Sequence, residues 1–222
     1  MNNKTSLPKA NDWNNYWGLD QTKKFTKISW SKKRIINVLE SFVCKDGKAL
    51  DAGCGSGFFS KYFCDQSMQT TSLDYSDEAL NIAQAMTAGR AKVVKKDLIN
   101  SKLKDELEDR FDIIFTDGLF EHFSLGGQDR ILQNFVDVLT DEGCVVTFVP
   151  NKWSPWELIR PFYMPGIEEK PFIIRELIDL HLRNGLKIVV TGGVNTFPFA
   201  FSPDKLFGKT FGMLLYVIAK KT

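Results

Sequence analysis

The sequence has few of the side chains that bind metals or form covalent cross-links. Its 222 residues include four cysteines, which are scattered with no Cys-x-x-Cys pair, and only two histidines. Zinc sites need clustered Cys and His ligands, so we expect no bound metal. Scattered thiols are typical of a protein that is kept reduced, and we therefore expect a cytoplasmic location.

The sequence also lacks a strong charge imbalance and a long apolar run. The formal net charge is +2, whereas a nucleic-acid-binding protein is expected to have a basic surface. Met1–Asn15 is polar, unlike a secretory signal peptide, and the apolar run Phe211–Ala219 is too short to span a bilayer. A hydrophobic content of 43% and a length of 222 residues suit one globular domain.

The most informative segment is Ala49–Gly57, which reads Ala-Leu-Asp-Ala-Gly-Cys-Gly-Ser-Gly. A short apolar strand ends in Asp51, three glycines follow at alternate positions, and a helix begins at Phe58. Glycine permits tight turns and close backbone approach, so a strand–glycine loop–helix unit forms a ligand cradle at a sheet edge. The dinucleotide fingerprint Gly-x-Gly-x-x-Gly would need a third glycine where Phe58 stands.

This pattern, Asp-x-Gly-x-Gly-x-Gly, resembles the first motif of the class I S-adenosylmethionine-dependent methyltransferases, of the type 11/12 kind that act on small molecules. Further motifs follow in the same order toward the C-terminus. Phe111–Phe123 is similar to the family's "FDxVxxxxVLEH" stretch, and Leu139–Pro150 is similar to its Leu-x-x-Gly-Gly and strand segment. The resemblance implies an enzyme that uses S-adenosylmethionine and releases S-adenosylhomocysteine.

Strand and helix signals alternate along the chain, which indicates an α/β protein with a mostly parallel sheet. Strands are predicted at Lys48–Ala52, Gln69–Asp74, Ala91–Lys95, Phe111–Phe115, Cys144–Val149, Leu186–Thr191 and Met213–Lys220. The connection Gly192–Lys209 has no obvious helix signal, so the last two strands are predicted to be antiparallel. The resemblance implies a Rossmann-like, doubly wound, seven-stranded sheet with a reversed C-terminal strand.

The single methyltransferase domain over residues 1–222 is expected to have four parts. These are an N-terminal helical cap at 1–30, a cofactor-binding core at 45–150, a lid insertion after the fifth strand at 151–173, and a C-terminal helix with an antiparallel strand pair at 174–222. An insertion of this length in a compact domain is often a functional lid. Ser154, Pro155 and Glu157 predict the start of a helix within it.

The resemblance implies a cofactor site along the carboxyl ends of the strands. Its predicted residues are Asp51, Ala52, Gly53, Cys54, Gly55, Gly57, Asp74, Tyr75, Asp97, Leu98, Asp117, Gly118 and His122. The Asp74 carboxylate can accept hydrogen bonds from both ribose hydroxyls, while helix capping is the alternative, a role that Ser76 already suits. Asp97 is either an acceptor for the adenine amino group or a solvated strand-end acid. Cys54 is interpreted as a small packing residue.

Aromatic side chains outside the core predict a pocket for the methyl acceptor. Its predicted residues are Tyr16, Trp17, Trp153, Trp156, Phe162 and Tyr163. Such a lining favours a small apolar or aromatic acceptor, and packing of the lid onto the sheet is the simpler alternative. The mixed-charge run Glu168, Glu169 and Lys170 is expected to form a solvated face. With a lipid-like acceptor, the aromatic cluster and Arg160 would touch a membrane surface.

The sequence does not assign a catalytic residue. His122, Glu121 and Tyr16 are the candidates, since a histidine titrates near neutrality and can act as a general base. A structural role is favoured for the Glu121–His122 pair, and likewise for His181, which shares a helical face with Leu177. Methyl transfer from a sulfonium cofactor mainly requires a correctly held acceptor and exclusion of water.

Three other functions stay open at this point. A nicotinamide-dependent oxidoreductase is disfavoured by Phe58 and by the early Asp51. A non-catalytic protein that binds S-adenosylmethionine as a sensor or partner subunit fits the motifs, because they indicate only that the cofactor can bind. A protein or RNA methyltransferase is also compatible, although the near-neutral charge disfavours RNA. The acceptor atom and the oligomeric state do not follow from the sequence.

Overall fold

The structure, a computed structural model, describes residues 10–160 and 169–222. The strands are β1 (Lys48–Ala52), β2 (Gln69–Asp74), β3 (Lys92–Lys95), β4 (Phe111–Asp117), β5 (Leu139–Pro150), β6 (Leu186–Val194) and β7 (Leu214–Lys221). The α-helices described are α1 (Ala10–Trp17), α2 (Trp30–Leu39), α3 (Phe58–Asp65), α4 (Asp77–Thr87), α5 (Leu103–Glu106), α6 (Leu125–Val138), α7 (Ile174–Arg183) and α8 (Asp204–Phe211). Short 3₁₀ helices cover Asp20–Thr26, Phe120–His122 and Pro155–Leu158.

All seven strands form one sheet in the order β3-β2-β1-β4-β5-β7-β6. Strand β7 runs antiparallel to both of its neighbours, β5 and β6, while the other adjacent pairs are parallel. The chain moves outward from β1 to β3 and then returns to the other side of β1 as β4, which creates a topological switch point. This topology confirms the predicted Rossmann-like, doubly wound sheet with a reversed C-terminal strand.

Serine side chains begin several helices at the carboxyl edge of the sheet or close to it. Ser76 caps α4 as predicted, because its Oγ accepts a hydrogen bond from the backbone of the first turn at 3.2 Å. Asp77 and Glu78 occupy that first turn, where the helix dipole favours negative charge. Ser29 and Ser124 cap α2 and α6 in the same way. These caps fix where each helix leaves the loop that precedes it.

The hydrophobic core lies on both faces of the sheet. Helices α6 and α7 pack on the face that contains Leu50 and Ile114, and α2 and α3 pack on the face that contains Ala49 and Ile113. Successive strand residues point to opposite faces, so Ala49 and Leu50 are both fully buried in different halves of the core. Strands covered on both sides read as continuous apolar runs, which explains why β1 and β4 were predictable.

His181 belongs to this core and has a structural role, as predicted. It is fully buried on α7, with Nδ1 2.8 Å from the Leu177 carbonyl oxygen and Nε2 3.0 Å from the Thr147 hydroxyl. The carbonyl can only accept, so Nδ1 carries the proton and Nε2 accepts from Thr147. Burial lowers the pKa of His181 to about 4, and the ring is neutral at physiological pH.

Strand β5 is longer than the sequence predicted. It begins at Leu139, five residues before the predicted start at Cys144. Phe111 pairs with Leu139 while Ile113 pairs with Cys144, so the extra residues of β5 are accommodated in an irregular bulge. The Leu-x-x-x-Gly segment at 139–143 therefore extends the strand instead of forming a separate turn.

The connection between β6 and β7 contains helix α8, which the sequence analysis did not predict. A Cβ atom on Gly193 would lie 2.0 Å from the carbonyl oxygen of Gly208, so the helix backbone packs directly on β6. Asp204 in the first turn accepts a hydrogen bond from Thr196 N at 2.8 Å. Glycines that allow two backbones to pack closely look the same in sequence as loop glycines. The helix was therefore not predicted. The antiparallel pairing of β6 and β7 was predicted correctly.

The segment that follows β5 starts with a helical turn at the predicted place. Ser154 caps it by accepting a hydrogen bond from Trp156 N at 3.2 Å, although the turn is a 3₁₀ helix. Asn151 pairs with Phe172 in an isolated β-bridge, which ties both ends of the segment to the sheet. Residues 161–168 lie outside the described part of the chain. In the part that is described, every helix is either too short or too polar to cross a membrane.

Candidate functional site

Two adjoining cavities lie at the carboxyl ends of the parallel strands, where the switch point between β1 and β4 places a ligand. Cavity A has a volume of about 320 Å³ and extends over β1, β2 and the end of β3. Cavity B has a volume of about 310 Å³ and extends from the glycine loop toward the segment after β5. The two share Trp13, Trp17, Gly53, Asp117, Gly118 and His122. Each is large enough for a small ligand.

The glycine loop has the backbone conformation that its sequence predicted. Gly53, Gly55 and Gly57 have φ angles of 72°, 46° and 66°, in the left-handed region that favours glycine. Gly53 N donates to the Leu73 carbonyl at 2.8 Å, and Gly55 N donates to Asp74 Oδ2 at 3.0 Å. These bonds tie the loop to the end of β2, so the loop and the Asp74 carboxylate form one edge of cavity A.

Eleven of the thirteen predicted cofactor residues line a cavity, and two do not. Ala52 is fully buried in the core. Gly57 begins α3, and a Cβ atom there would lie 2.4 Å from Ala83 Cα, so this glycine allows α3 to approach α4. Cys54 lines cavity B, and burial raises the pKa of its thiol, which agrees with a packing role and not with a nucleophile.

Carboxylates at two strand ends line cavity A. Asp74 accepts hydrogen bonds from Gly55 N and, at 2.9 Å, from Ser76 N. A carboxylate has about four lone-pair sites, so Asp74 retains acceptor capacity toward the cavity. Asp97 accepts from Ile99 N at 2.9 Å and from Asn100 Nδ2 at 2.6 Å, and therefore shapes the turn after β3. Tyr75 and Leu98 complete the predicted residues on this side.

Buried charges lie where cavity B meets the ends of β1 and β4. Asp51 is 3% exposed, and its Oδ2 accepts a hydrogen bond from Ser60 Oγ at 2.6 Å. Burial raises the pKa of Asp51 to about 7 and that of Asp117 to about 6. Burial also lowers the pKa of Lys32 to about 8, although the charge of Asp117 opposes this. Lys32 is a lining residue that the sequence analysis missed, because it lies on α2, outside all of the motifs.

The candidate catalytic pair Glu121 and His122 lies beside a third ionisable residue, Glu169. The Glu169 side chain is 3% exposed and lines cavity B, so the prediction of a solvated charged face at this position is wrong. Lys170 N donates to the Glu121 carbonyl at 3.0 Å, and this backbone bond brings the two glutamates together. Their ligand atoms and that of His122 lie within 4.8 Å of one another. Arg160 Nη1 lies 3.4 Å from Glu169 Oε2 and already compensates this carboxylate.

The aromatic residues of α1 cover both cavities. The Trp13 and His122 rings meet edge to face with centroids 4.8 Å apart, and the Tyr16 and Trp17 rings do so at 5.4 Å. The Trp17 ring lies against Gly55, where a Cβ atom would come within 2.4 Å of it. Burial, followed by the charge of Glu169, raises the pKa of Tyr16 to about 12, so the tyrosine is protonated at neutral pH.

The predicted acceptor residues are only partly brought together. Tyr16, Trp17 and Trp156 line cavity B. Trp153 is 63% exposed and lines neither cavity. Phe162 and Tyr163 lie outside the described residues. Lining residues that the sequence analysis missed include Phe25 and Glu169, which come from segments far apart in sequence and carry no motif.

Comparison with known proteins supports the resemblance seen in the sequence. Residues 49–143 match a family model described as a methyltransferase domain. This range contains the glycine loop, both strand-end acids of cavity A and the Glu121–His122 pair. A comparison with curated proteins found no match.

Solved structures with the same fold cover almost the whole chain at low identity. The N-methyltransferase NodS from Bradyrhizobium japonicum WM9, in complex with S-adenosylhomocysteine, has a TM-score of 0.69 and 14% identity, over 96% of this chain and 97% of that chain. Magnesium protoporphyrin IX methyltransferase from Synechocystis PCC 6803, also with S-adenosylhomocysteine bound, has a TM-score of 0.68 and 13% identity, over 96% and 100%. A putative methyltransferase from Haloferax volcanii, in complex with the Trm112 methyltransferase activator, has a TM-score of 0.73 and 15% identity, over 94% and 97%.

These likenesses agree with the topology and with the positions of the motifs. At such low identity the solved structures establish the fold, and the family model adds the methyltransferase domain. The chain therefore matches a methyltransferase-domain model over residues 49–143 and shares the fold of solved S-adenosylmethionine-dependent methyltransferases, in agreement with the predicted resemblance.

Proposed function

We propose that the chain is an enzyme that transfers a methyl group from S-adenosylmethionine to a small acceptor with an apolar or aromatic body. The observation that carries this proposal is the direct junction of the two cavities at the glycine loop, beside Asp117 and Gly118. A cofactor in cavity A would present its reactive end to an acceptor in cavity B. The sheet topology places such a junction at the switch point.

The residues of cavity A fit this cofactor. Asp74 has acceptor capacity for the two ribose hydroxyls, and the positive-φ glycine loop allows close approach of a ligand to the backbone. Asp97 and Leu98 border the far end of the cavity, where the adenine ring would lie. The bound S-adenosylhomocysteine in NodS and in the Synechocystis enzyme supports the same assignment.

The chain's own contribution to the reaction would be orientation and exclusion of water. S-adenosylmethionine supplies, when bound, an activated methyl group and a neutral leaving group, so the protein needs little further chemistry. Trp13 and Trp17 cover the junction of the cavities, and Tyr16 and Trp156 line the acceptor side. Holding an acceptor in line and removing water from it lowers the barrier to transfer.

Isothermal calorimetry with S-adenosylhomocysteine and with NAD tests the cofactor assignment. We expect binding of S-adenosylhomocysteine and no response to NAD, because Phe58 occupies the position of the third fingerprint glycine. Binding of NAD without any response to S-adenosylhomocysteine would contradict the proposal. Incubation with methyl-labelled S-adenosylmethionine and a metabolite extract then tests catalysis, and label should appear in small molecules.

A methyltransferase that needs a protein partner, or that modifies protein or RNA, is the second candidate. Phe199, Phe201 and Leu206 are 67%, 76% and 79% exposed on the β6–β7 connection, and exposed apolar residues of this density often mark an interaction surface. The Haloferax volcanii neighbour was solved with an activator protein. Turnover of small acceptors by the isolated chain would favour the first candidate, and labelling confined to macromolecules would favour the second.

A further inference from the structure

Cavity B is lined by more acidic residues than is usual for an apolar pocket. Its lining includes the acids Asp51, Asp117, Glu121 and Glu169 and the bases Lys32 and Arg160. The charge of Lys32 lowers the pKa of Asp117, and Asp51 accepts a hydrogen bond from the Ser60 hydroxyl. Arg160, the cation that acts on Glu121, is shared with Glu157 at 3.0 Å and Glu169 at 3.4 Å. The Glu121–Glu169 side of the cavity therefore has more carboxyl groups than cationic side chains to pair with them.

Glu121 has a carboxylate oxygen without a hydrogen-bond partner in the described part of the chain. Its side chain is 1% exposed, and Oε1 lies 4.0 Å from His122 Nε2. Within residues 10–160 and 169–222, Oε2 of Glu121 has no hydrogen-bond partner, whereas Oε2 of Glu169 has no hydrogen bond but lies 3.4 Å from Arg160 Nη1 in an ion pair. A buried polar atom without a partner is costly, and such atoms in native structures commonly mark the place of a ligand or ion.

The aromatic lining of cavity B has the character that an organic cation requires. The rings of Trp13, Tyr16 and Trp17 pack edge to face in a continuous cluster over the cavity. Aromatic faces attract ammonium groups and also bury apolar carbon. The mechanism proposed above uses these rings for covering the acceptor but leaves the two glutamates without a role.

We propose that the methyl acceptor is a small amine, whose nitrogen binds to Glu121 and Glu169 and whose apolar or aromatic body lies against the rings of α1. This inference rests on the proposed methyltransferase function and names its substrate class. An ammonium group has three N–H donors and no acceptor, which matches the unsatisfied Oε2 of Glu121 and the remaining acceptor capacity of the Glu169 carboxylate. A metal ion held by Glu121, His122 and Glu169 is the other occupant, and the experiments below distinguish it from an amine.

The same glutamates provide the proton acceptor that amine methylation requires. A protonated amine has no lone pair, so the N–H electron pair must stay on nitrogen while the proton moves to the Glu121 carboxylate. The methyl donor, when bound, supplies a methyl carbon whose bond to sulfur breaks with its electron pair on sulfur, as the nitrogen lone pair forms the new bond. The proton on Glu121 then passes to solvent, which balances the reaction.

The surroundings of Glu121 give the binding step a signature besides activity. Burial, followed by the charge of Glu169, raises the pKa of Glu121 well above its usual range, with Asp117 acting in the same direction and Arg160 opposing. This direction favours the protonated carboxyl group when no ligand is bound. Binding of an ammonium group favours the carboxylate, so amine binding should release a proton.

Calorimetry with matched amines and alcohols tests the inference. The full chain is saturated with S-adenosylhomocysteine and titrated with benzylamine against benzyl alcohol, phenethylamine against phenethyl alcohol, and hexylamine against hexanol. We expect at least one amine to bind about tenfold more tightly than its alcohol, as charge-assisted hydrogen bonds provide. Repeating the titration in buffers of different ionisation enthalpy should show proton release with the amine only.

Variants separate the glutamates from the fold and from the cofactor site. Glu121→Gln should remove the preference for the amine and leave alcohol binding unchanged, and Glu169→Gln should weaken the preference independently. Glu40→Gln on the exposed end of α2 is the matched control and should keep it. Thermal denaturation and S-adenosylhomocysteine binding verify that each variant is folded.

The outcomes distinguish this inference from the function on which it rests. Failure to bind S-adenosylhomocysteine would contradict the methyltransferase proposal itself. Normal cofactor binding with equal affinity for amines and alcohols would overturn only the amine proposal. Loss of the amine preference on addition of EDTA would overturn the amine proposal. Tighter binding of the alcohols on addition of Mn²⁺ would do the same. Either result would indicate a metal ion held by Glu121, His122 and Glu169.

Discussion

Single carboxylates at the two cavities differ in role because their surroundings differ. Asp74 accepts two backbone hydrogen bonds and keeps acceptor capacity toward cavity A. Asp51 is held by the Ser60 hydroxyl beneath the glycine loop. Glu121 is buried with an unsatisfied oxygen. We interpret Asp74 as a cofactor-binding group and Asp51 as a buried support for the glycine loop. We interpret Glu121 as a group that binds the acceptor.

The Asp74→Ala variant tests the binding role of the strand-end acid. Loss of the carboxylate leaves the ribose hydroxyls without an acceptor, so the affinity for S-adenosylhomocysteine should fall by roughly 1–3 kcal/mol. Calorimetry measures this change, and circular dichroism verifies the fold. Asp77→Ala is the control, since Asp77 is an exposed acid three residues away that pairs with Lys95. An unchanged dissociation constant in Asp74→Ala would show that the acid only orders the loop and the start of α4.

Local signals in the sequence were sufficient for one cavity and insufficient for the other. Cavity A was predictable because Asp74 and Asp97 follow short strands, and the carboxyl ends of parallel strands meet at one edge. Cavity B was not, because Glu169 reads as part of a solvated run, whereas in the fold it is buried beside Arg160 and next to Lys170, whose backbone bonds to the 3₁₀ turn at Glu121. Burial that arises from such a long-range contact has no periodic pattern in the sequence.

At the scale of secondary structure, agreement depends on whether an element is defined by its own residues. β1 and β2 have the predicted bounds, since β1 contains the apolar pair Ala49–Leu50 and β2 is a short threonine-rich run that ends in an acid. α8 was missed because Gly208 faces Gly193 on another element, a contact that is visible only in the fold. Tertiary packing, and not local propensity, decides such elements.

Helix α1 is positioned as a cover over both cavities. Asn14 Oδ1 accepts a hydrogen bond from Ser76 Oγ at 2.7 Å, which attaches α1 to the start of α4. Trp17 lies on the glycine loop, so a ligand entering cavity A or B meets the aromatic rings of this helix. A cover attached mainly through the Asn14 side chain and ring contacts can open at low cost in free energy.

Hydrogen exchange should therefore show ligand-dependent protection at this cover. We expect amides at 13–17 and 151–172 to exchange faster in the free protein than with S-adenosylhomocysteine, since ligand contacts would favour the closed arrangement. Amides of β4, in the middle of the sheet, are the internal control and should not change. Equal protection of both segments with and without ligand would mean that they are fixed packing elements and not a lid.

The whole molecule combines segments that are distant in the chain into one charged and aromatic interior. Trp13 meets His122, and Glu121 meets Glu169, around a sheet edge that β1 and β4 create. Ionisable groups that are buried in this way lower the free energy of unfolding, whereas the same groups at solvent-exposed positions would not. Functional sites in proteins commonly contain such perturbed groups.

This cost should be visible in the pH dependence of unfolding. The pKa of Asp51 is raised to about 7 in the folded protein, against about 3.9 in an unfolded chain. Between these values the folded state binds more protons, so the free energy of unfolding falls as the pH rises from about 4 to about 7. Asp117 and Glu169, with pKa values raised to about 6 and about 7, act in the same direction.

The Asp51→Asn variant isolates this contribution. Asparagine keeps an acceptor for the Ser60 hydroxyl and cannot ionise, so the variant avoids the penalty of a buried charge. Its stability relative to the unmodified protein should rise by roughly 2–3 kcal/mol between about pH 5 and about pH 8, as measured by urea unfolding. Asp77→Asn, at an exposed acid, should show no such pH-dependent gain. A parallel pH profile for Asp51→Asn and the unmodified protein would mean that Asp51 is already ionised in the fold, and that its hydrogen bond to Ser60 outweighs its burial.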